Sequence, residues 1–203
     1  MIALMHFVAT AAIEAHGPEA VRKAIATGTH LSTLAFSEAG SRSHFWATQS
    51  TATAQGDDVA LDAEKSWVTA SGHAHSYVWS TRPLASEGPM TLWLVPSDAP
   101  GLTRAGGFDG LGLRGNESTP VKAEAVVVPA GAMLGTDGGG LDLALSVVLP
   151  WFLVLSASFS VGIMEAVTTE AAGHLGATRL EHLGQRLIDQ PLARIDLARM
   201  RVR

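Results

Sequence analysis

The chain contains no cysteine. That absence excludes disulfides, thiolate metal sites, iron–sulfur clusters and cysteine nucleophiles together, and it fits a reducing, cytoplasmic setting. Charge is scarce as well. Only 16% of the 203 residues are Asp, Glu, Lys or Arg, and the net charge is -5. Sequence-independent nucleic-acid binding needs a basic stripe, so no nucleic-acid partner is expected. The Walker loop, GxSxG and HExxH signatures are all missing, so function has to be read from other features. Residues 1–12 are apolar but lack a basic leader, and Glu14 follows soon after, so the start does not read as a secretory signal. No repeat at a fixed period and no low-complexity tract stands out.

What remains is an apolar chain, 47% hydrophobic with a positive mean hydropathy. Such a composition excludes disorder as the main state, and the length buries a core without staples. Composition shifts divide the chain into zones 1–30, 31–137 and 138–203. In the first zone Leu4, Phe7, Val8, Ala11, Ala12 and Ala15 fall at helical spacing, and His16-Gly17-Pro18 ends that helix. A shorter helix follows, with Glu19 near its start and Gly28 past its end. The middle zone holds short runs broken by turns: Val59–Ala63 after Gly56-Asp57-Asp58, the alternating Ser76–Ser80, Thr91–Val95, and Ala123–Val128 before Pro129. Short strands with Gly, Pro and Asp between them predict a β-barrel or sandwich. The third zone opens at Gly138-Gly139-Gly140. It is helical in pattern from Leu141 to Leu175 and again from Leu180 to Arg203, with Pro191 in the first part of the second helix. The fold class is therefore α+β: N-terminal helices, a central β-barrel or sandwich, and a C-terminal antiparallel helix pair resembling an incomplete bundle.

Residues 143–164 carry no charge. By length that segment is a candidate membrane span. Four serines, Pro150 and the lack of a flanking Lys/Arg cluster favour a helix buried in a soluble bundle. Gly138–Gly140 precedes this helix, where free N–H groups suit an anion, although such glycines more often form a plain turn. His73 and His75 alternate in an expected strand and share a face, but no third ligand stands near, so no metal site is assigned.

Two stretches are more specific. One is Leu34-Ala35-Phe36-Ser37-Glu38-Ala39-Gly40-Ser41-Arg42-Ser43, and the other is Lys65-Ser66-Trp67-Val68-Thr69-Ala70-Ser71-Gly72. Trp67 offers a flat aromatic wall and Thr69 a donor. Strand alternation puts both on one face, as a flat apolar ring with polar edges requires. Considered alone, Trp67 is a core residue.

In these stretches the chain resembles the acyl-CoA dehydrogenase family of flavoproteins. Ser37-Glu38 with Ser43 matches part of the family's T/S-E-x-x-x-G-S-D motif, and Lys65 to Thr69 follows K-x-W/F-I/V-T. Leu94-Val95-Pro96, Pro100-Gly101-Leu102, Gly112-Leu113-Arg114-Gly115, Val128-Pro129, Leu134-Gly135 and Gly138 continue the family order over nearly the whole chain. The resemblance implies FAD as cofactor. Trp67 and Thr69 would lie on the flavin near N5, Phe36 and Ser37 along its pyrimidine edge, and Ser43 at the pyrophosphate. It also implies an acyl-CoA or related thioester as substrate. The expected assembly is a homo-oligomer, or a hetero-oligomer with a related subunit.

Several positions depart from the pattern. Arg42 stands where the family has Gly, and His44 where it has Asp. Leu183-Gly184 matches the F-G of R-x-x-F-G. That puts Leu180 at the Arg position and leaves Arg179 one residue out, about 100° around a helix. Aligned on Val161-Gly162, the helix places Pro150 and Leu153 where family members carry Asp and Arg, and the catalytic Glu of a subset falls at or near Phe152. No carboxylate lies between Asp142 and Glu165. The more common Glu would lie beyond Arg203. No catalytic residue is therefore assigned. The expectation is a flavin platform without its base, either as part of a dehydrogenase or as a non-catalytic companion subunit.

Overall fold

The computed structural model describes residues 1–42 and 44–202. Two helices open the chain, α1 (Ile2–His16) and α2 (Glu19–Ala26). Ten strands follow in order: β1 (Ser32–Ala35), β2 (Thr51–Gln55), β3 (Asp58–Val68), β4 (Ser76–Thr81), β5 (Thr91–Pro96), β6 (Leu102–Arg104), β7 (Thr119–Pro129), β8 (Met133–Leu134), and the short pair β9 (Arg179–Leu180) and β10 (Gln185–Arg186). Between β8 and β9 run α3 (Gly140–Leu143), a π-helical turn (Ala144–Val148) and α4 (Leu149–Ala177). Helix α5 (Pro191–Val202) comes last.

Two four-stranded sheets form an open sandwich, ordered β1-β4-β5-β8 and β2-β3-β7-β6. Among the described residues, β1 and β4 are the one parallel pair within them. The core lies between the sheets. Tyr77, Trp79, Trp93 and Val95 face Val59, Leu61, Val121, Val126 and Val128. The second sheet has one wet face, so β7 alternates until a left-handed Ala125 (φ 47°) shifts its inward positions from 121 and 123 to 126 and 128. The first sheet is covered on both faces, because α1 packs on β1 and β4. Helix α1 buries Leu4, Val8, Ala9, Ala12 and Ile13. This is why all of Ser76–Thr81 is buried although the segment reads as alternating.

Strand β2 has no apolar signature. Its Thr-Ala-Thr-Ala-Gln sequence is held by pairing with β3 across a turn in which Gly56 has φ 65°.

The chain divides into two compact units, residues 1–155 and 156–203. In the first, the π turn sits just before Pro150. A proline ring lacks an N–H and crowds the carbonyl four residues back, and a widened turn relieves that conflict. In the second, the helix expected from Leu180 begins at Pro191 instead, since proline is tolerated only in a helix's first turn. Residues 179–186 form the β9–β10 pair, with Gly184 left-handed at φ 64° between them. Arg179 is thus in a strand, where a slip of one residue reverses the face rather than turning it 100°. The long helix is also not buried as expected. Thr168 is the one buried residue of α4, while Trp151, Leu153, Val154, Val161 and Met164 are more than half exposed.

Candidate functional site

Strand β1 ends in Ala35 and leads into Phe36, Ser37 and Glu38. Strand β3 brings Lys65, Ser66 and Trp67 alongside. The Ser66 N–H donates to the Ser37 carbonyl at 2.8 Å, and Glu38 bridges Lys65 as an isolated antiparallel pair. Glu38 and Lys65 also join through their side chains, with Lys65 Nζ 2.5 Å from Glu38 Oε1. The ammonium donates further to the Ser80 carbonyl (2.6 Å) and hydroxyl (2.9 Å), and it lies 5.3 Å from the Trp79 ring centre. The carboxylate accepts from the Gln49 N–H, the Ser50 N–H at 3.2 Å and the Ser50 hydroxyl at 2.5 Å. Burial pulls the Lys65 ammonium down to about 8 against the opposing Glu38 charge. Burial pushes the Glu38 carboxyl up, but the Lys65 charge and the hydrogen bonds from Lys65, Ser50 and Gln49 outweigh it and leave it lowered.

Just past this pair the ladder slips. Lys65 pairs with Val121 and Val68 with Thr119, so β3 carries one extra residue. Trp67 takes a left-handed backbone (φ 56°) and is 67% exposed. A bulky side chain in that conformation is strained. The bulge also separates Trp67 from Thr69, which strand alternation had placed on one face. Thr69 is buried, with its hydroxyl 3.2 Å from that of Ser118.

Phe36, Ser37, Phe45, Ser66 and Trp67 line a recess of about 210 Å³ with Met5, Leu34, Ala144, Val148, Leu149 and Phe152. None of these side chains is ionisable. Phe36 and Phe45 stack with ring centres 6.3 Å apart. The volume is below the ~300–1,000 Å³ of a whole drug-sized ligand site, so the recess suits part of a ligand, a flat apolar ring with hydroxyls at its rim. Of the residues expected at a flavin, Phe36, Ser37 and Trp67 come together here and Thr69 does not. Ser43 lies outside the described residues. The Glu38–Lys65 contact was not anticipated. Its signal was the odd-numbered parity of β3, which points Lys65 inward with Val59 and Leu61.

At Gly138–Gly140 the structure shows the plain turn, and the strand placement of His73 and His75 is corrected. The Gly138 and Gly140 N–H groups are already used: Gly138 donates to Thr91 Oγ1 at 2.8 Å and Gly140 to the Met90 carbonyl at 2.8 Å. A Cβ on Gly140 would meet the Met90 oxygen at 2.7 Å, so close packing explains that glycine and no anion cradle results. His73 and His75 lie in a turn rather than a strand and face different partners. His73 Nε2 is 3.4 Å from Glu117, whereas His75 accepts from the Leu31 N–H and stacks on His30.

Comparison with known proteins bears on the fold that carries this recess. Residues 33–126 match the acyl-CoA dehydrogenase middle domain. The probable acyl-CoA dehydrogenase YngJ of Bacillus subtilis is 29% identical over 145 residues, 70% of this chain and 38% of that protein. The human mitochondrial short-chain specific acyl-CoA dehydrogenase is 30% identical over 178 residues, 82% of this chain and 43% of that protein. The structure of butyryl-CoA dehydrogenase from Megasphaera elsdenii superposes with a TM-score of 0.88 at 22% identity, covering 99% of this chain and 54% of that one. The chain thus spans about two fifths of these curated relatives and about half of the solved one. Residues 33–126 form a domain of the acyl-CoA dehydrogenase middle-domain type.

Proposed function

We propose that this chain holds the isoalloxazine of FAD in the recess beside Trp67, as part of a protein that dehydrogenates an acyl-CoA thioester between its α and β carbons. The observation that carries the reading is an exposed, strained Trp67 forming one wall of an apolar recess with Phe36 and Ser37 at its rim. Strain of this kind persists where the surroundings impose it, commonly at ligand sites. The flavin, when bound, supplies the hydride acceptor. Trp67 stacks along the ring, and Phe36 and Ser37 border its polar edge. Val148, Leu149 and Phe152 keep water away. Ser43 is the proposed pyrophosphate contact. Thr69 is the proposed ring-edge donor, with a hydroxyl that can accept from Ser118 and still donate.

Removing a thioester α-proton needs a placed base in a water-poor site. The recess has no ionisable wall, so the base comes from another segment or another subunit. A companion-subunit role is the second reading, favoured by the exposed apolar length of α4.

Titrating the chain with FAD, alone and mixed with a complete family member, tests the proposal. Quenching of tryptophan fluorescence with retention of flavin absorbance is the expected result. Flavin bound to the chain alone should not be bleached by acyl-CoA. No FAD binding in either setting would refute the platform, and bleaching by the chain alone would refute the external base.

A further inference from the structure

Glu38 and Lys65 form a full-length ion pair inside the protein, with side-chain exposures of 2% and 0%. A buried pair of this sort is seldom better for stability than apolar side chains of the same volume, so its place in the chain needs another reason. The residues immediately before Glu38 are Phe36 and Ser37. The residues immediately after Lys65 are Ser66 and Trp67. All four line the recess, and the Ser66-to-Ser37 hydrogen bond crosses between the two segments. The ladder slips directly beyond Lys65, at the strained Trp67. Strain persists only where neighbouring structure over-determines it. Lys65 has partners for its three donors in Glu38, the Ser80 carbonyl and the Ser80 hydroxyl, while Glu38 is held by Ser50 and Gln49.

We infer that Glu38 and Lys65 are positioning residues: their ion pair pins the Phe36–Ser37 rim to the Ser66–Trp67 strand end and holds Trp67 in its outward, left-handed pose. The consequence for flavin binding rests on the function proposed above; the consequence for Trp67 does not.

The test labels the full chain with 5-fluorotryptophan and assigns the Trp67 fluorine resonance by its loss in Trp67→Phe. The double variant Glu38→Gln/Lys65→Met removes both charges and keeps their bulk. The double variant Ser50→Ala/Ser80→Ala loosens the pair without stranding a charge, and it decides the matter if the first does not fold. Circular dichroism reports the fold of each. The expected result is a folded variant whose Trp67 resonance shifts or broadens while those of Trp79 and Trp93 hold, with FAD bound about tenfold more weakly by the first variant and about threefold by the second. An unmoved Trp67 resonance in a folded variant overturns the inference, whatever FAD does. If the unaltered chain binds no FAD but the resonance moves, the flavin reading fails and the positioning role stands.

Discussion

Arg42 is exposed and has φ 48°, a left-handed backbone that costs an L-residue about 1–2 kcal/mol and glycine almost nothing. This is the physical reason a glycine suits the position. Arg42→Gly should therefore raise stability by about 0.5–1 kcal/mol once the extra unfolded-state entropy of glycine is subtracted. A higher urea midpoint at unchanged slope would show it. His30 carries a pH dependence. Its ring is half-buried, donates to or accepts from Ser76 Oγ at 2.8 Å, and has its pKa lowered from 6.5, first by burial and then by His75 and His6. Below about 6.5 the unfolded chain binds this proton more readily than the folded one, so stability falls as pH drops from there through the lowered value. Urea midpoints measured against pH should decline on the acid side, and His30→Gln should flatten part of that decline. At this scale the sequence was half legible. Phe36, Ser37 and Trp67 were recognised by their order along the chain and do meet. Thr69 does not line the recess with Trp67, because alternation carries no mark for a left-handed residue. Lys65 went unpaired because its partner is 27 positions away.

Elements were read well where one local rule governs. Gly17-Pro18 separates α1 from α2, and the uncharged stretch is indeed helical from Gly140 onward. Strand β2 escaped notice because its formation comes from pairing rather than from its own residues. The π turn was also invisible, being the response of a whole helix to Pro150. That turn has a functional side. Ala144, Val148, Leu149 and Phe152 all reach the recess from the α3–α4 run, so this run forms one wall. The resemblance puts the catalytic carboxylate of some family members at or near Phe152, which lines that wall. Phe152→Glu should place an acid at the recess with its pKa raised by the apolar surroundings. The expected outcome is slow bleaching of bound flavin by acyl-CoA, growing as pH rises through that pKa, in a protein that otherwise shows none. Stopped-flow absorbance would record it. A variant that binds FAD and never bleaches it would mean that Phe152 does not face the reacting carbons.

For the molecule as a whole, the decisive quantity is uncovered apolar surface. The run from Gly140 to Ala177 is long and apolar enough to cross a membrane, yet only 6% of its most hydrophobic window is buried. Apolar side chains surround α4 rather than forming one stripe, and a helix of that kind is buried by a membrane or by other helices. The presence of Glu165 and Glu170 in the same helix, with Arg201 2.5 Å from Glu165, favours protein cover over lipid for its second half. Soluble monomers rarely leave contiguous apolar patches of more than a few hundred Å². The chain on its own should therefore self-associate: sedimentation should give a mass above 21.2 kDa that falls on dilution. Leu153→Lys with Met164→Lys, one face of α4 three turns apart, should shift the population towards monomer. FAD binding should persist, because neither side chain lines the recess. If the charged variant instead associates as strongly as the original, the driving surface is elsewhere, and α1 with its half-exposed Phe7 becomes the next face to alter.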